Sequence, residues 1–333
     1  MVKLFEIPDG TPLVGSVSFG LIDRGTNVIQ VRPSSACPLN CIFCSTDAGP
    51  CSKRRQAEYQ VRLDHIMDWF RELVRIKGDS IEAHIDTVGD PFIYPHLEDL
   101  VHEIVSVSGV KTVSLQTHGY LMTEKNLNSL SASGLSRINL SLDAIDGELG
   151  KKLSGTPSYD IGKIIANARY ALENTNIDVL LAPVWVHPLN DSQMDGLVEL
   201  AKSIGAGKRG PRLGIQKCEF HRHGRRTREM KHVTWFSFYR YMKELGEKHG
   251  EKLALRPSDF GIAPANRLEE PFKKGEGVRA RVIGPGWLKG ESLAVSKDLK
   301  RTITVVGAEL QEGEDVRVRL LRSKDNIFVG RPG

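Results

Sequence analysis

The sequence predicts an α/β protein: a partial (β/α)6 TIM-like barrel followed by a small all-β, OB-like barrel. Two observations support this. Through most of the chain, apolar β-branched runs alternate with helical patterns, which is typical of parallel strands joined by right-handed crossovers. After a stretch rich in Pro, Gly and charge, only short alternating runs remain. The predicted parts are an N-terminal extension (1–26), a core (27–255), a linker (256–275) and a C-terminal domain (276–333).

The core contains six apolar segments that we predict as strands. They are residues 27–33, 81–87, 111–117, 137–143, 177–186 and 212–218. The fifth is apolar along nearly its whole length, which is typical of a strand buried on both faces. Helical spacing is found at residues 57–78, 96–107, 123–133, 160–174, 191–204 and 234–249. In such folds the site residues gather at the C-terminal ends of the strands.

The C-terminal domain has a different pattern. Five short runs, VRARVIG, ESLAVSK, RTITVVG, EDVRVRLLR and NIFVGRP, alternate apolar and polar residues between Gly, Lys and Asp. Five strands in so short a segment predict a small barrel.

The composition is that of a globular protein, with 333 residues of which 40% are hydrophobic. No apolar run approaches the roughly 20 residues that cross a bilayer, so we expect no membrane association. The first residues lack the apolar region of a signal peptide. Five cysteines, three of them crowded together, do not resemble a disulfide framework, and we expect a reducing cytoplasm.

The net charge of +5 is concentrated at the C-terminus. Residues 272–333 hold thirteen Lys and Arg against eight Asp and Glu, whereas the rest of the chain holds 33 of each. A basic appendage on a neutral body indicates an anionic partner. The alternative is an ordinary solvated surface.

Three cysteines, Cys37, Cys41 and Cys44, lie within eight residues directly after the first predicted strand. Soft thiolates bind iron–sulfur clusters or zinc. Three thiolates would leave one iron of a cubane open to a substrate. The alternative is a structural zinc site with Cys51 as fourth ligand, although such sites usually use two close-spaced pairs.

The spacing CxxxCxxC, with Phe43 before the last cysteine, resembles the radical S-adenosylmethionine (SAM) superfamily, and in particular the archaeal-type Fe–S oxidoreductases. Further motifs follow in the order expected of that family. Val88-Gly89-Asp90-Pro91 is similar to its Gly-Gly-Glu-Pro motif but departs from it at the first and third positions. QTHG (116–119) is similar to its Thr-Asn-Gly, SLD (141–143) to its Ser-x-Asp, and residues 183–190 to its adenine-contacting segment.

The resemblance covers roughly residues 27–250 and implies the chemistry. It implies one 4Fe–4S cluster on Cys37, Cys41 and Cys44, which cleaves SAM reductively to a 5′-deoxyadenosyl radical. An electron donor protein such as a ferredoxin or flavodoxin would be a partner. The SAM-binding residues that it implies are Phe43, Gly89, Asp90, Thr117, His118, Ser141, Asp143 and Val184.

Two other cysteines lie outside the motif. Cys218 ends the sixth predicted strand, where it is a candidate catalytic residue: a hydrogen donor, a methyl carrier or a ligand to a second centre. The alternative is a buried free cysteine. We interpret Cys51 as a bystander.

A basic segment at 207–232 contains nine Lys and Arg and only two Glu. Beside the open end of a barrel, such a segment is typical of phosphate binding, although it is also compatible with a solvated loop. The candidate RNA-binding residues of this segment are Arg222, Arg225, Arg226 and Arg228.

The C-terminal domain resembles a TRAM domain, a small barrel attached to several RNA-modifying enzymes. The resemblance is carried by GVRARVIGPGWLKGESLAV and GEDVRVRLLRSKDNIFVGRP. It implies RNA binding, for which side-chain type suggests Trp287, Arg317, Arg319 and Lys324. Phe328 is either a further contact or part of the barrel core.

The leading hypothesis is therefore a radical SAM enzyme that modifies RNA, with tRNA as the favoured substrate. Methylation, thiolation-type chemistry and C–C bond formation stay open. A second hypothesis keeps the radical chemistry but places it on a small molecule or peptide, with the tail as a packing or recruiting module. A third is a non-catalytic, metal-stabilised RNA-binding protein.

Overall fold

The structure is a computed structural model that describes residues 2–333. The chain forms two compact units. The first comprises Met1–Pro38, Gly49–Val113 and Pro264–Gly333, and the second comprises Leu39–Ala48 and Ser114–Ala263. The predicted domain limits differ from this division, because the C-terminal barrel packs with the N-terminal third of the chain; those limits stay a prediction.

Each of the two units contains both helices and strands. The strands are β1 Lys3–Glu6, β2 Gly20–Asp23, β3 Val28–Arg32, β4 Ala57–Gln60, β5 Ile81–Ile85, β6 Val110–Thr117, β7 Arg137–Leu140, β8 Asp178–Leu181, β9 Val184–Trp185, β10 Gln216–Lys217, β11 Gly277–Pro285, β12 Glu291–Ser296, β13 Thr302–Val306, β14 Asp315–Arg322 and β15 Val329–Pro332. The helices are α1 Leu63–Lys77, α2 Leu97–Ser106, α3 Glu124–Ala132, α4 Gly147–Ser154, α5 Ile161–Asn174, α6 Met194–Ser203 and α7 Trp235–His249.

The main sheet has six strands in the order β2, β3, β5, β6, β7, β8. The ladders β3–β5, β6–β7 and β7–β8 are parallel, and β2 pairs antiparallel with β3. All four residues of β8 are buried, as expected for a strand covered on both faces. Parallel strands alternating with helices confirm the predicted α/β class.

The helices form where apolar spacing and capping residues coincide. The buried face of α1 carries Ile66, Phe70, Leu73 and Val74, spaced at three to four residues. Four helices of the second unit begin at a side chain whose oxygen accepts a backbone N–H, which satisfies one donor of the first turn. These caps are Thr123, Asp146, Asp160 and Thr234.

Two predicted elements differ from the structure. The helix predicted at 57–78 begins only at Leu63, because residues 57–60 form β4, which pairs with β1. The strand predicted at 212–218 runs parallel to residues 181–185 but is broken into a bridge at Leu213 and the short strand β10. Its partner contains Pro183, which has no N–H to donate and so interrupts a regular ladder.

The C-terminal segment closes into a five-stranded barrel in the order β11, β12, β13, β15, β14. Alternate residues point inward, and the core holds Val278, Ile303, Val318, Leu320 and Phe328. Phe328 is fully buried, so it fills the barrel. The five predicted strands and the small all-β domain are confirmed.

Within the first unit, the barrel pairs with the segment that precedes β4. The backbone N–H of Gln56 donates to the Trp287 carbonyl at 3.0 Å, and that of Lys289 donates to the Arg54 carbonyl at 2.8 Å. None of the helices formed by residues 2–333 has the length and apolar character needed to cross a lipid bilayer.

Candidate active site

In the first unit, the VGDP segment lies against the residues that precede the half-buried Cys37. The backbone N–H of Asp90 donates to the Ala36 carbonyl at 2.9 Å. A Cβ atom on Gly89 would lie 2.0 Å from the same carbonyl oxygen, so only glycine fits there. The buried Asp90 carboxylate accepts the N–H of Phe92 at 3.1 Å, which caps a short 3₁₀ turn. The start of the cysteine loop and the VGDP segment are therefore held together.

Arg55 connects these same two segments and was missed by sequence reasoning. Its fully buried guanidinium donates to the carbonyls of Ser35 at 2.7 Å and Val88 at 2.6 Å, and it forms an ion pair with Glu58. Nothing in the run KRR distinguishes Arg55 from its exposed neighbours Lys53 and Arg54. Only its burial reveals that it organises the backbone around the motif.

The position of Arg55 bears on Trp287, whose contact with RNA stays a prediction. The guanidinium carbon lies 4.5 Å from the centre of the Trp287 ring, and the indole is half-buried. This cation–π contact covers one ring face inside the first unit. One face of the ring therefore packs against the protein.

In the second unit, the segment with Cys41 and Cys44 is fastened to the end of α4. The backbone N–H groups of Asn40 and Ile42 donate to the carbonyls of Ser154 and Leu153 at 3.0 and 2.9 Å. Phe43, between the two cysteines, is buried.

The Cys44 sulfur lies among hydrogen-bond donors. It accepts the backbone N–H of Ala48 at 3.2 Å and lies 3.4 Å from the Thr46 hydroxyl. Burial alone would raise the pKa of Cys44, but these hydrogen bonds and the positive charge of Arg225 outweigh it, so the pKa is lowered. The surroundings of Cys44 therefore favour a thiolate, the form that binds metal.

Arg225, predicted as an RNA contact, holds this loop; its RNA contact stays a prediction. Its backbone N–H donates to the Cys44 carbonyl at 2.8 Å, and its guanidinium donates to the Ala48 carbonyl. Its Nε also lies 3.4 Å from Asp47 Oδ1. The side chain is only 20% exposed, and a carbonyl of the loop accepts one of its guanidinium N–H groups.

The strand ends of the second unit bring several predicted residues together. His118 Nδ1 lies 3.0 Å from the Ser141 carbonyl, which can only accept, so Nδ1 carries the hydrogen. The buried Thr117 hydroxyl accepts the backbone N–H of Gly119 at 3.0 Å. The Asp143 carboxylate accepts the backbone N–H of Val184 at 2.7 Å, and its other oxygen is 3.7 Å from His118 Nδ1.

The carboxyl group of Asp143, which belongs to this set of residues, has a raised pKa. Burial raises its pKa to about 6, and the nearby His118 and the hydrogen bond from Val184 only partly oppose this. Asn190, which sequence reasoning missed, is fully buried and donates to the carbonyls of Asp143 and Val184, both at 2.9 Å. The strand ends are thus fixed by a polar network.

The arrangement of motifs at successive strand ends matches the result of comparisons with known proteins. Residues 31–201 match the model of the radical SAM superfamily. The chain belongs to this superfamily. It is also 39% identical to an uncharacterized protein of Methanocaldococcus jannaschii, over 98% of this chain and 80% of that protein.

Two further similarities are more distant. A probable GTP 3′,8-cyclase of Methanosarcina mazei is 25% identical over 54% of this chain, and the match spans only about half of the cyclase, 52%. The crystal structure of HydG, a maturase of the [FeFe]-hydrogenase, aligns with a TM-score of 0.53 and 14% identity. That alignment covers 68% of this chain and 51% of HydG, and it indicates a shared fold.

Radical SAM enzymes use a 4Fe–4S cluster and SAM, which are therefore the cofactors of this chain. The residues fit: three thiols lie within eight residues, and one of them favours the thiolate. Among residues 2–333, no three His, Cys, Asp or Glu side chains are arranged to hold a single metal ion. A cubane does not require that arrangement, because each of its cysteines binds a different iron.

Cys218 of this radical SAM chain directly follows β10 and is buried. Burial raises the pKa of its thiol to about 11; Lys217 opposes the shift, whereas Asp143 and Glu219 add to it. The thiol is therefore protonated at neutral pH. The adjacent Lys217 ammonium lies 2.9 Å from Glu219, at an angle that makes no hydrogen bond, and 4.9 Å from the centre of the Trp235 ring.

The basic segment after β10 leaves three of its four candidate arginines exposed. Among residues 2–333, no carboxylate forms an ion pair with any of the three, which are Arg222, Arg226 and Arg228. The following helix α7 adds exposed rings that sequence reasoning missed: Trp235 is 54% exposed, Phe236 75% and Tyr239 46%. In the barrel, the predicted residues Arg317, Arg319 and Lys324 are also exposed.

Proposed function

We propose that this chain uses radical SAM chemistry to modify RNA, with tRNA as the substrate class. The observation that carries the RNA substrate is the joint presence, in the second unit, of exposed rings and of arginines that form no ion pair among residues 2–333. Proteins that bind single-stranded nucleic acid combine a basic surface with aromatic rings on which bases stack. The residues concerned are Arg222, Arg226, Arg228, Trp235, Phe236 and Tyr239.

In this proposal Cys37, Cys41 and Cys44 would hold the 4Fe–4S cluster through three of its irons, with the fourth open to SAM. When bound, the cluster would supply the electron for the reductive cleavage of SAM. The contribution of the chain is to hold the thiolates. The hydrogen bond from Ala48 to the Cys44 sulfur and the loop contacts of Arg225 support that role.

The proposed SAM-binding residues are held by hydrogen bonds within each unit. In the first unit, Gly89 and Asp90 present their backbone beside the cysteine loop. In the second unit, Asp143 supplies a buried acceptor whose backbone is fixed by Asn190. The remaining proposed residues are Phe43, Thr117, His118, Ser141 and Val184.

Cys218 is proposed to donate a hydrogen atom rather than to carry a methyl group. A thiol with a pKa of about 11 is almost wholly protonated at pH 7, so it is a poor nucleophile but keeps its S–H bond. That state suits the quenching of a substrate radical, a step in which the S–H hydrogen moves to carbon and leaves a thiyl radical.

A second candidate substrate is a free nucleotide. The similarity to the probable GTP 3′,8-cyclase of Methanosarcina mazei favours it, because that relative is named for a reaction of GTP. The identity of 25% over about half of each chain supports common chemistry more than a common substrate.

One experiment separates these candidates. The anaerobically reconstituted protein is incubated with dithionite, SAM and either total tRNA or GTP, and 5′-deoxyadenosine and modified nucleosides are measured by mass spectrometry. We expect a mass change in a tRNA nucleoside that requires SAM. Cys37→Ala, Cys41→Ala and Cys44→Ala should each abolish 5′-deoxyadenosine, whereas Cys51→Ala, which removes an exposed thiol, should not.

The outcomes have distinct meanings. A product from GTP and none from tRNA would replace RNA by a nucleotide as substrate. RNA binding without any 5′-deoxyadenosine would leave only a non-catalytic RNA-binding protein. Comparison of tRNA nucleosides from cells with and without the gene would then identify the modified base.

A further inference from the structure

The outer face of the C-terminal barrel carries arginines that lie opposite one another on neighbouring strands. In the β11–β14 ladder Arg279 pairs with Arg317, and in the β14–β15 ladder Arg319 pairs with Arg331. All four are exposed. Val318, which lies between Arg317 and Arg319 on β14, is buried. We call these four residues the arginine stripe.

The same ladder shows how the barrel pairs charges for its own stability. One step beyond the stripe, Arg281 lies opposite Asp315, and its Nε is 2.9 Å from the carboxylate. Lys297 binds the other oxygen of Asp315 at 2.6 Å. These contacts lower the pKa of Asp315 to about 2, chiefly through the hydrogen bond from Arg281. By contrast, no stripe arginine forms an ion pair among residues 2–333.

Opposed like charges destabilise a sheet, because directly paired residues place their side chains within about 5 Å of each other. Two such pairs in adjacent positions concentrate positive charge on one face of a small barrel. The stripe therefore favours an anionic partner that would relieve this repulsion when it binds.

We infer that the arginine stripe binds the phosphodiester backbone of the RNA substrate; this inference rests on the RNA substrate proposed above. Guanidinium groups bind phosphate oxygens through two parallel hydrogen bonds. Residues two apart on a strand repeat every roughly 6.7 Å, so the stripe offers a row of sites to a chain of phosphates. Gly277, opposite Arg319, has no side chain, and the Arg317 guanidinium lies over it: a Cβ atom there would be 3.0 Å from Arg317 Nε.

We expect the arginine stripe to bind RNA without distinguishing one base from another. The outward positions of β11 and β14 near it carry no aromatic ring on which a base could stack. Contacts to phosphate position a nucleic acid without specifying its sequence. The stripe therefore contributes affinity rather than base specificity.

The test is the salt dependence of binding to fluorescein-labelled total tRNA, measured by anisotropy with the full chain. The stripe variant is Arg279→Gln with Arg331→Gln, which removes one member of each opposed pair. The control is Lys289→Gln with Lys300→Gln, which removes two exposed charges elsewhere on the barrel. Thermal unfolding of each variant checks its fold.

We expect the slope of log Kd against log salt to become shallower by about 1.4 to 1.8 in the stripe variant, as for the loss of two phosphate contacts. The control should keep the slope of the wild-type chain. The stripe variant should also unfold at an equal or higher temperature, because its like-charge pairs are gone.

Three results would overturn the inference. If the wild-type chain binds tRNA and the stripe variant keeps the full slope, the stripe is not the contact, while the proposed RNA substrate stands. If poly-L-glutamate binding depends on the stripe as strongly as tRNA binding does, the partner is an acidic protein. If the wild-type chain binds no tRNA, the proposed RNA substrate itself fails.

Discussion

At the scale of single residues, the buried polar groups determine how the motifs are held. Arg55 lies outside every predicted motif, and Asn190 was not singled out within residues 183–190, yet each ties together backbone segments that carry predicted site residues. A buried donor that satisfies two carbonyls orders the chain around it, because leaving those carbonyls unsatisfied would cost free energy. Two predictions follow from such groups.

Arg55→Met should lower the free energy of unfolding by about 3 to 5 kcal/mol, because it leaves Glu58 and two buried carbonyls without their partner. SAM affinity should fall as well, since Val88 and the cysteine loop lose their common donor. Urea unfolding and equilibrium binding of SAM measure the two effects. Arg54→Met is the control, because the adjacent Arg54 is exposed. Equal effects in both variants would contradict the role of Arg55.

Asp143 should make stability depend on pH. Its folded-state pKa of about 6 lies above the ordinary value of 3.8, so the protonated form stabilises the fold below about pH 4, and this contribution is lost as pH rises through 6. Asp143→Asn, which cannot ionise, should therefore be more stable than the wild type by about 3 kcal/mol at pH 8. At pH 5 the difference should be smaller. Denaturant unfolding at both pH values measures it, and a pH-independent difference would refute the assignment.

At the scale of elements, the long periodic helices were predictable and the short segments were not. The helices α2, α3, α5 and α7 begin and end within about two residues of their predicted limits. The predicted helix at 57–78 merged a strand with a helix, because β4 is only four residues long and ends three residues before α1. The eight-residue helix α4 was missed, since Gly147 and Gly150 weaken its helical pattern.

The end of α4 carries a prediction about the cysteine loop. Gly155 has φ of 58° at the C-terminus of α4, and a Cβ there would lie 2.2 Å from the Asn40 carbonyl. Gly155→Ala should displace the loop and lower the iron and sulfide content after reconstitution. Gly205→Ala is the control, because Gly205 has φ of 72° and no atom within 4 Å of a Cβ. An equal loss of iron and sulfide in both variants would show that backbone strain alone, and not the contact with Asn40, is responsible.

At the scale of the whole molecule, the C-terminal barrel is part of the first unit rather than a separate tail. Residues 54–56 pair with the barrel, Trp287 lies over Arg55, and the Tyr59 hydroxyl donates to the Pro285 carbonyl at 2.9 Å. A neutral body with a basic appendage was predictable from charge alone. The sequence did not predict that this C-terminal segment belongs to the first compact unit.

Removal of residues 272–333 should therefore destabilise the remaining chain and not merely weaken RNA binding. The truncated protein would expose the apolar surface that faces the barrel and leave Arg55 without the Trp287 ring. We expect a lower midpoint of thermal unfolding, or insolubility, by circular dichroism on residues 1–271. The Lys289→Gln, Lys300→Gln double variant of the full chain is the control. An unchanged midpoint would show that the barrel folds independently.

The sequence by itself determined the α/β class, the five-stranded barrel and the membership of the radical SAM superfamily. These depend on local periodicity and on motifs of adjacent residues, both of which can be recognised in the sequence alone. Only the tertiary structure decided which polar side chains are used internally. It assigned Arg225 to the cysteine loop and Trp287 to Arg55, left Arg222 exposed, and set arginines face to face on the barrel. Burial and strand register arise from contacts between residues far apart in sequence, so side-chain type alone cannot reveal them.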